Sequence, residues 1–130
     1  MIRTLCAIAA AAVIAAAPLS AVHAEPAVVD LDTAVNCAVV FGIIASEQQR
    51  GAPGADAYPP LAERGKEFFV QVGARLIDEQ HLNQDQAREY FQSRAKSLQN
   101  ELASASDPKQ RLDALAGPCI NLLDAAIPAR

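Results

Sequence analysis

Residues 34–45, AVNCAVVFGIIA, are apolar on every side of a helix, with Asn36 the one polar side chain among them. The segment is far shorter than the roughly 20 residues needed to cross a bilayer. A short segment with no polar face belongs inside a packed domain, with other elements wrapped around it. The rest of the chain therefore has to cover this segment. Cys37 lies within it, so a reactive sulfur is carried into the core. A strand is the rival reading of Val39 to Ile44, because β-branched residues are frequent there. The flanks favour a helix: Asp30 and Asp32 are both N-cap candidates, a polar tail ends at Arg50, and Gly51 then Pro53 form a stop signal.

The 130-residue chain opens with Met1, Ile2 and a single cation at Arg3, followed by an uninterrupted apolar and small run over residues 5–17. Pro18 and Ser20 break that run, and Val22-His23-Ala24 has the compact residues a signal peptidase reads. This three-part layout predicts a cleavable secretory signal over residues 1–24 and a single helical domain over residues 25–130. A membrane anchor would need a longer apolar run, and a lipoprotein would need its cysteine after that run; Cys6 comes before most of it. The expected location is periplasmic or secreted, with no membrane span after cleavage.

Export decides the cysteine chemistry. Cys6 leaves with the signal, so Cys37 and Cys119 remain in an oxidising compartment and are expected to pair. Two buried free thiols are the alternative. A zinc site would need about four ligands, and these two cysteines with His81 fall short, so no metal is expected.

Three further helices follow from periodicity and caps. Residues 51–60, GAPGADAYPP, can only be a loop, read as a spacer in which Tyr58 is the one residue able to pin it to the core. A second helix is expected over residues 60–80, with Leu61, Gly65, Phe68, Phe69, Val72 and Leu76 on one face. Gly65 and Gly73 suit a close helix crossing. Asn83 and Gln86 form a capping-box pattern for a third helix reaching about Ala105, its apolar stripe running Ala87, Tyr90, Phe91, Ala95, Leu98 and Leu102. Asp107 and Pro108 start a fourth, striped by Leu112, Leu115, Ala116, Cys119, Leu122, Leu123 and Ala126. The stripe keeps its phase across Gly117-Pro118, which predicts a kink or a stop with immediate restart, not a loop.

Four amphipathic segments imply an all-α, up-and-down four-helix bundle. The first and last helices are then antiparallel neighbours, which sets Cys37 level with Cys119 and allows one disulfide between them.

Catalytic chemistry is sparse, and no catalytic residue or cofactor is expected. His81 stands alone, suited to a helix end more than to general-base work. The serines have no nucleophile motif. Glu63 and Glu67 share a face but have Arg64 and Lys66 beside them. CxxCH, P-loop and GxGxxG patterns are absent. A net charge of −4, with charges interspersed, lacks the basic footprint of a nucleic-acid binder. The expectation is a non-enzymatic binding or interaction module, chaperone-like or envelope-associated, with a protein partner or a second copy as its counterpart. The alternative is a carrier of a small apolar ligand in a pocket walled by Phe41, Phe69 and Phe91. An enzyme ranks third.

Overall fold

The computed structural model describes residues 29–130, so the expected signal and its cleavage point lie outside the described residues. Four helices make up the fold: α1 (Leu31–Arg50), α2 (Arg64–Gln80), α3 (Gln84–Ser104) and α4 (Pro108–Ala126). No strand occurs among the described residues, and none of their helices is long and apolar enough to cross a membrane.

Helix α1 is the hub and packs on all three others. It spans the expected residues because both ends are chemically closed. The Asp30 carboxylate accepts the Thr33 N–H at 2.9 Å and the Thr33 hydroxyl at 2.7 Å. At the far end Gly51 takes φ +64°, and the N–H groups of Gly51 and Ala52 return to Gln48 and Glu47 carbonyls. Eight of its residues are buried, from Ala34 to Ile44. Its apolar character drives the collapse, and Val35, Val40, Phe41 and Ile44 are essentially sealed from solvent.

The disulfide joins Cys37 to Cys119 across α1 and α4, with Cα atoms 5.2 Å apart. The start of α4 lies beside the loop that leaves α1: Tyr58 donates to Asp113, and the Lys109 side chain lies against Gly54. Early α4 at the end of α1, and Cys119 beside Cys37, is the antiparallel arrangement. Likewise Arg75 of α2 donates to the Val29 carbonyl just before α1, at 2.6 Å. Helices α1 and α2 cross closely at Gly65, where a Cβ would stand 3.3 Å from the Phe41 Cβ. Beside that crossing Phe41 and Phe68 meet edge to face at 5.3 Å.

Helix α4 continues unbroken through Gly117 and Pro118. Proline withholds the bond that the Ala114 carbonyl would receive, but Ala114, Gly117 and Pro118 are all exposed, so water can satisfy that oxygen. The inward stripe Leu112, Ala116, Cys119, Leu123 is buried on both sides of the proline. The chain therefore does not stop there.

Two expectations need correction. Regular α2 begins at Arg64, not Pro60, and the 51–60 loop is not a mere spacer. Both differences trace to Gln48. Its amide nitrogen lies within 3.0–3.3 Å of the Ala55, Tyr58 and Pro59 carbonyls, and its amide oxygen accepts the Leu61 N–H at 3.1 Å. One α1 side chain thus holds the loop and engages the Pro59 carbonyl, which would receive the first bond of a helix opening at Pro60. Tyr58, half-buried, adds its bond to Asp113 on α4.

Candidate functional site

Helix α3 is the least embedded element. It buries only Ala87 and Phe91; Ala95, Leu98 and Leu102 are half-buried, and Tyr90, expected on the inward stripe, is 36% exposed beneath the Arg94 guanidinium. Its inward side chains include two alanines, too short to fill the space beside α1. Arg94 ties α3 to α1 through Asp32 and Asn36, while Phe91 ties it to α2 through Phe69, ring centroids 4.4 Å apart.

Those ties leave an open groove of about 670 Å³ among α1, α2 and α3. That volume falls in the range of small-molecule sites. Its α1 side is a stripe at four-residue spacing, Ala38, Gly42, Ser46 and Arg50. Ile43 and Ile77 add aliphatic wall, and Phe69, Ala87 and Phe91 face them from α2 and α3. The polar lining residues are Gln84, Gln92, Gln99 and Ser46, and the charged ones are Arg50 and Arg88; among the described residues no carboxylate lines it. Arg88 lies 3.5 Å from Asp85 in an exposed pair, whereas Arg50 makes no ion pair among the described residues.

Gly42 is the informative residue. It sits in the middle of α1, is exposed, and a Cβ built on it would meet nothing within 4 Å. Glycine there costs about 1 kcal/mol relative to alanine, and no contact among the described residues requires it. Gly65 differs, since its Cβ would press on Phe41. Gly73, paired with Gly65 in the sequence reading, marks no tight crossing: the nearest atom to its Cβ would be the Phe91 ring, at 3.8 Å. It lines the groove instead.

A second depression of about 700 Å³ lies on the other flank of α1, walled by Tyr58, Pro60 and Leu61, and shares Gly42 and Ser46 with the first. Tyr58 at its edge has its phenol pushed up well above the ordinary range, first by burial and then by the Asp113 carboxylate. Asp113 is held below the usual carboxylate range by Lys109 and by the Tyr58 hydroxyl.

The aromatic residues expected to wall one pocket are divided. Phe69 and Phe91 line the groove, but Phe41 does not: it is buried against Phe68 at the α1–α2 crossing. The groove is also a surface feature and not a cavity enclosed by the bundle. His81 ends α2 with φ +53°, its own N–H returning to the Ile77 carbonyl, and its exposed side chain lines neither depression. The backbone, not the imidazole, provides the cap. Among the described residues no three of His, Cys, Asp and Glu come together to hold a metal ion.

The chain matches no protein-family model, no curated protein and no solved structure. Its function is therefore argued from the groove alone. Sequence reasoning passed over Gly42, Ser46 and Arg50 as a lining: Gly42 is the one residue without a side chain in the apolar run, and Ser46 and Arg50 open and close the polar tail one turn apart on the same face.

Proposed function

We propose that this protein is an exported, non-enzymatic binding module that takes an apolar guest in the groove among α1, α2 and α3. The observation that carries this reading is the open floor at Gly42 facing Phe69, which is 41% exposed. A large aromatic left in solvent beside a mid-helix glycine that packing does not require is spare surface from the standpoint of folding. It is useful surface for a guest. The disulfide supports the reading by tying α1, the helix that forms one wall, to a fixed partner.

The test uses a neutral, environment-sensitive dye such as Nile red. The native oxidised protein is expected to enhance its fluorescence. Gly42→Leu, which fills the floor, and Phe69→Gln, which removes the apolar wall, are each expected to abolish the enhancement with the helical circular dichroism unchanged. No enhancement by the native protein, or enhancement that survives both substitutions, overturns the proposal.

A further inference from the structure

Resting on that reading, we infer that the guest is a single-chain anionic amphiphile, its apolar tail lying along Gly42, Ile43 and Phe69 and its head meeting one of the lining arginines, Arg50 or Arg88. The argument begins with charge. The whole chain carries −4, yet the charged side chains lining this groove are both arginines. Exposed acidic residues are common elsewhere on the surface, so their absence from this lining is a local departure from the chain's own composition.

The two cations are also available. Arg50 makes no ion pair among the described residues, and it sits in the last turn of α1. Arg88 has only the exposed contact to Asp85 at 3.5 Å, longer than a good charge-assisted bond. By contrast Arg64, Arg75, Arg94 and Arg111 are engaged in bonds that join parts of the fold. Those four arginines serve the scaffold; Arg50 and Arg88 in the groove, like Arg130 at the chain end, do not. A planar guanidinium donates in a fork that suits a carboxylate, phosphate or sulfonate.

The small residues of the lining leave room for an aliphatic tail. The floor is cut down to backbone at Gly42 and to one carbon at Ala38, while Gly73, Ala87 and Ala95 keep the α2 and α3 walls low. A trough that is apolar and carries cations suits an apolar tail with an anionic end. A neutral apolar guest would leave the arginines without a purpose, and a cationic amphiphile would be repelled by them.

The experiment compares dodecanoate, dodecanol and dodecylamine, each below its aggregation concentration, as competitors of Nile red on the oxidised chain. Dodecanoate is expected to bind about ten-fold more tightly than dodecanol, the size of one charge-assisted hydrogen bond, and dodecylamine most weakly. The double substitution Arg50→Gln with Arg88→Gln is expected to erase the preference for dodecanoate and leave dodecanol affinity in place. Gly42→Leu is expected to weaken all three while raising thermal stability, which separates a lost groove from a damaged fold. Equal affinities for the three probes, or a dodecanoate preference that survives the double substitution, overturns the inference and spares the binding-module reading. If the dye binds in a Phe69-dependent manner but no amphiphile displaces it, or if anionic vesicles bind while monomeric dodecanoate does not, the inference also falls. If the dye fails as well, both readings fall together.

Discussion

Helix α1 has two unlike sides. Toward α2 and α4 it is closed: Gly65 brings the α2 backbone against Phe41, Phe68 meets Phe41 edge-on, and Cys37 is bonded to Cys119. Toward α3 it is open, with Gly42 and Ser46 exposed, Ile43 half-covered and Phe69 41% exposed across the gap. Both sides are built from the same apolar vocabulary. The difference lies in what each glycine faces. At Gly65 the missing side chain lets two helices touch, and at Gly42 it leaves space that none of the described residues uses. The closed side therefore supplies most of the stability, and the open side can carry function because stability does not depend on it.

The largest expected effect breaks the closed side. Cys37 and Cys119 are 82 positions apart, and linking them removes roughly 4 to 5 kcal/mol of chain entropy from the unfolded state in the loop-closure model. A domain of this size has about 5–15 kcal/mol in total. Reduction, or Cys37→Ala with Cys119→Ala, is therefore expected to lower the melting midpoint steeply. In native-state hydrogen exchange, protection should collapse first along α1 and α4. Equal midpoints with and without reductant would show that the disulfide is not a main support.

Next comes the pair of glycines, where the same change is expected to act with opposite sign. Gly65→Ala forces a Cβ to 3.3 Å from the Phe41 Cβ, which is fixed in the core. Overpacking of that kind costs about 1–3 kcal/mol and outweighs the gain in helix propensity. Gly42→Ala meets nothing and gains about 1 kcal/mol. Denaturant midpoints at constant slope measure both. Two changes of the same sign would remove the distinction between the sides.

A smaller effect is expected at Gln48, which holds the 51–60 loop over one end of α1. Gln48→Leu keeps the bulk and deletes the amide. It strands the Leu61 N–H and two or more carbonyls, at a cost of about 2 kcal/mol. The loss should register as faster amide exchange at Leu61 and the first turn of α2, with α3 unaffected. Slower or unchanged exchange there would return the loop to the status of a spacer.

Much of this architecture could be read from residues alone. The bounds of α1 were plain because Asp30 and Gly51 are strong chemical signals. The Asn83–Gln86 box and the Asp107–Pro108 start stand where the pattern placed them. The disulfide followed from topology combined with compartment. Three things were harder. An all-apolar helix has no polar face to reveal which way it points, so spacing alone does not separate Phe41 from Phe69 and Phe91, although Phe41 faces Phe68 on α2. The role of Gln48 depends on a loop returning to it, which local spacing does not report. The shallow seat of α3 goes with Ala87 and Ala95 lining the same groove as Gly42, and that grouping exists only in the folded chain.

The smallest effect, and the sharpest in direction, concerns the strap from the loop to α4. Tyr58 donates to Asp113, burial and that carboxylate raise the phenol's pKa, and Asp113 is depressed by Lys109 and Tyr58. A raised folded-state pKa contributes stability that is complete below the unfolded value, about 10 for tyrosine, and is lost as pH climbs toward the folded value. A depressed carboxylate contributes above its unfolded value, about 3.9, and that contribution disappears as pH falls through the lower folded value. Tyr58→Phe removes the phenol and its bond but keeps the ring in place. The native protein is therefore expected to melt above the variant across the neutral range, and the gap between them to narrow above about pH 10 and again below about pH 4. Other titrating groups act on both proteins alike, so the difference isolates the strap. A gap that stays constant from neutral to strongly alkaline pH would mean that the hydroxyl contributes nothing to holding the loop on the closed side.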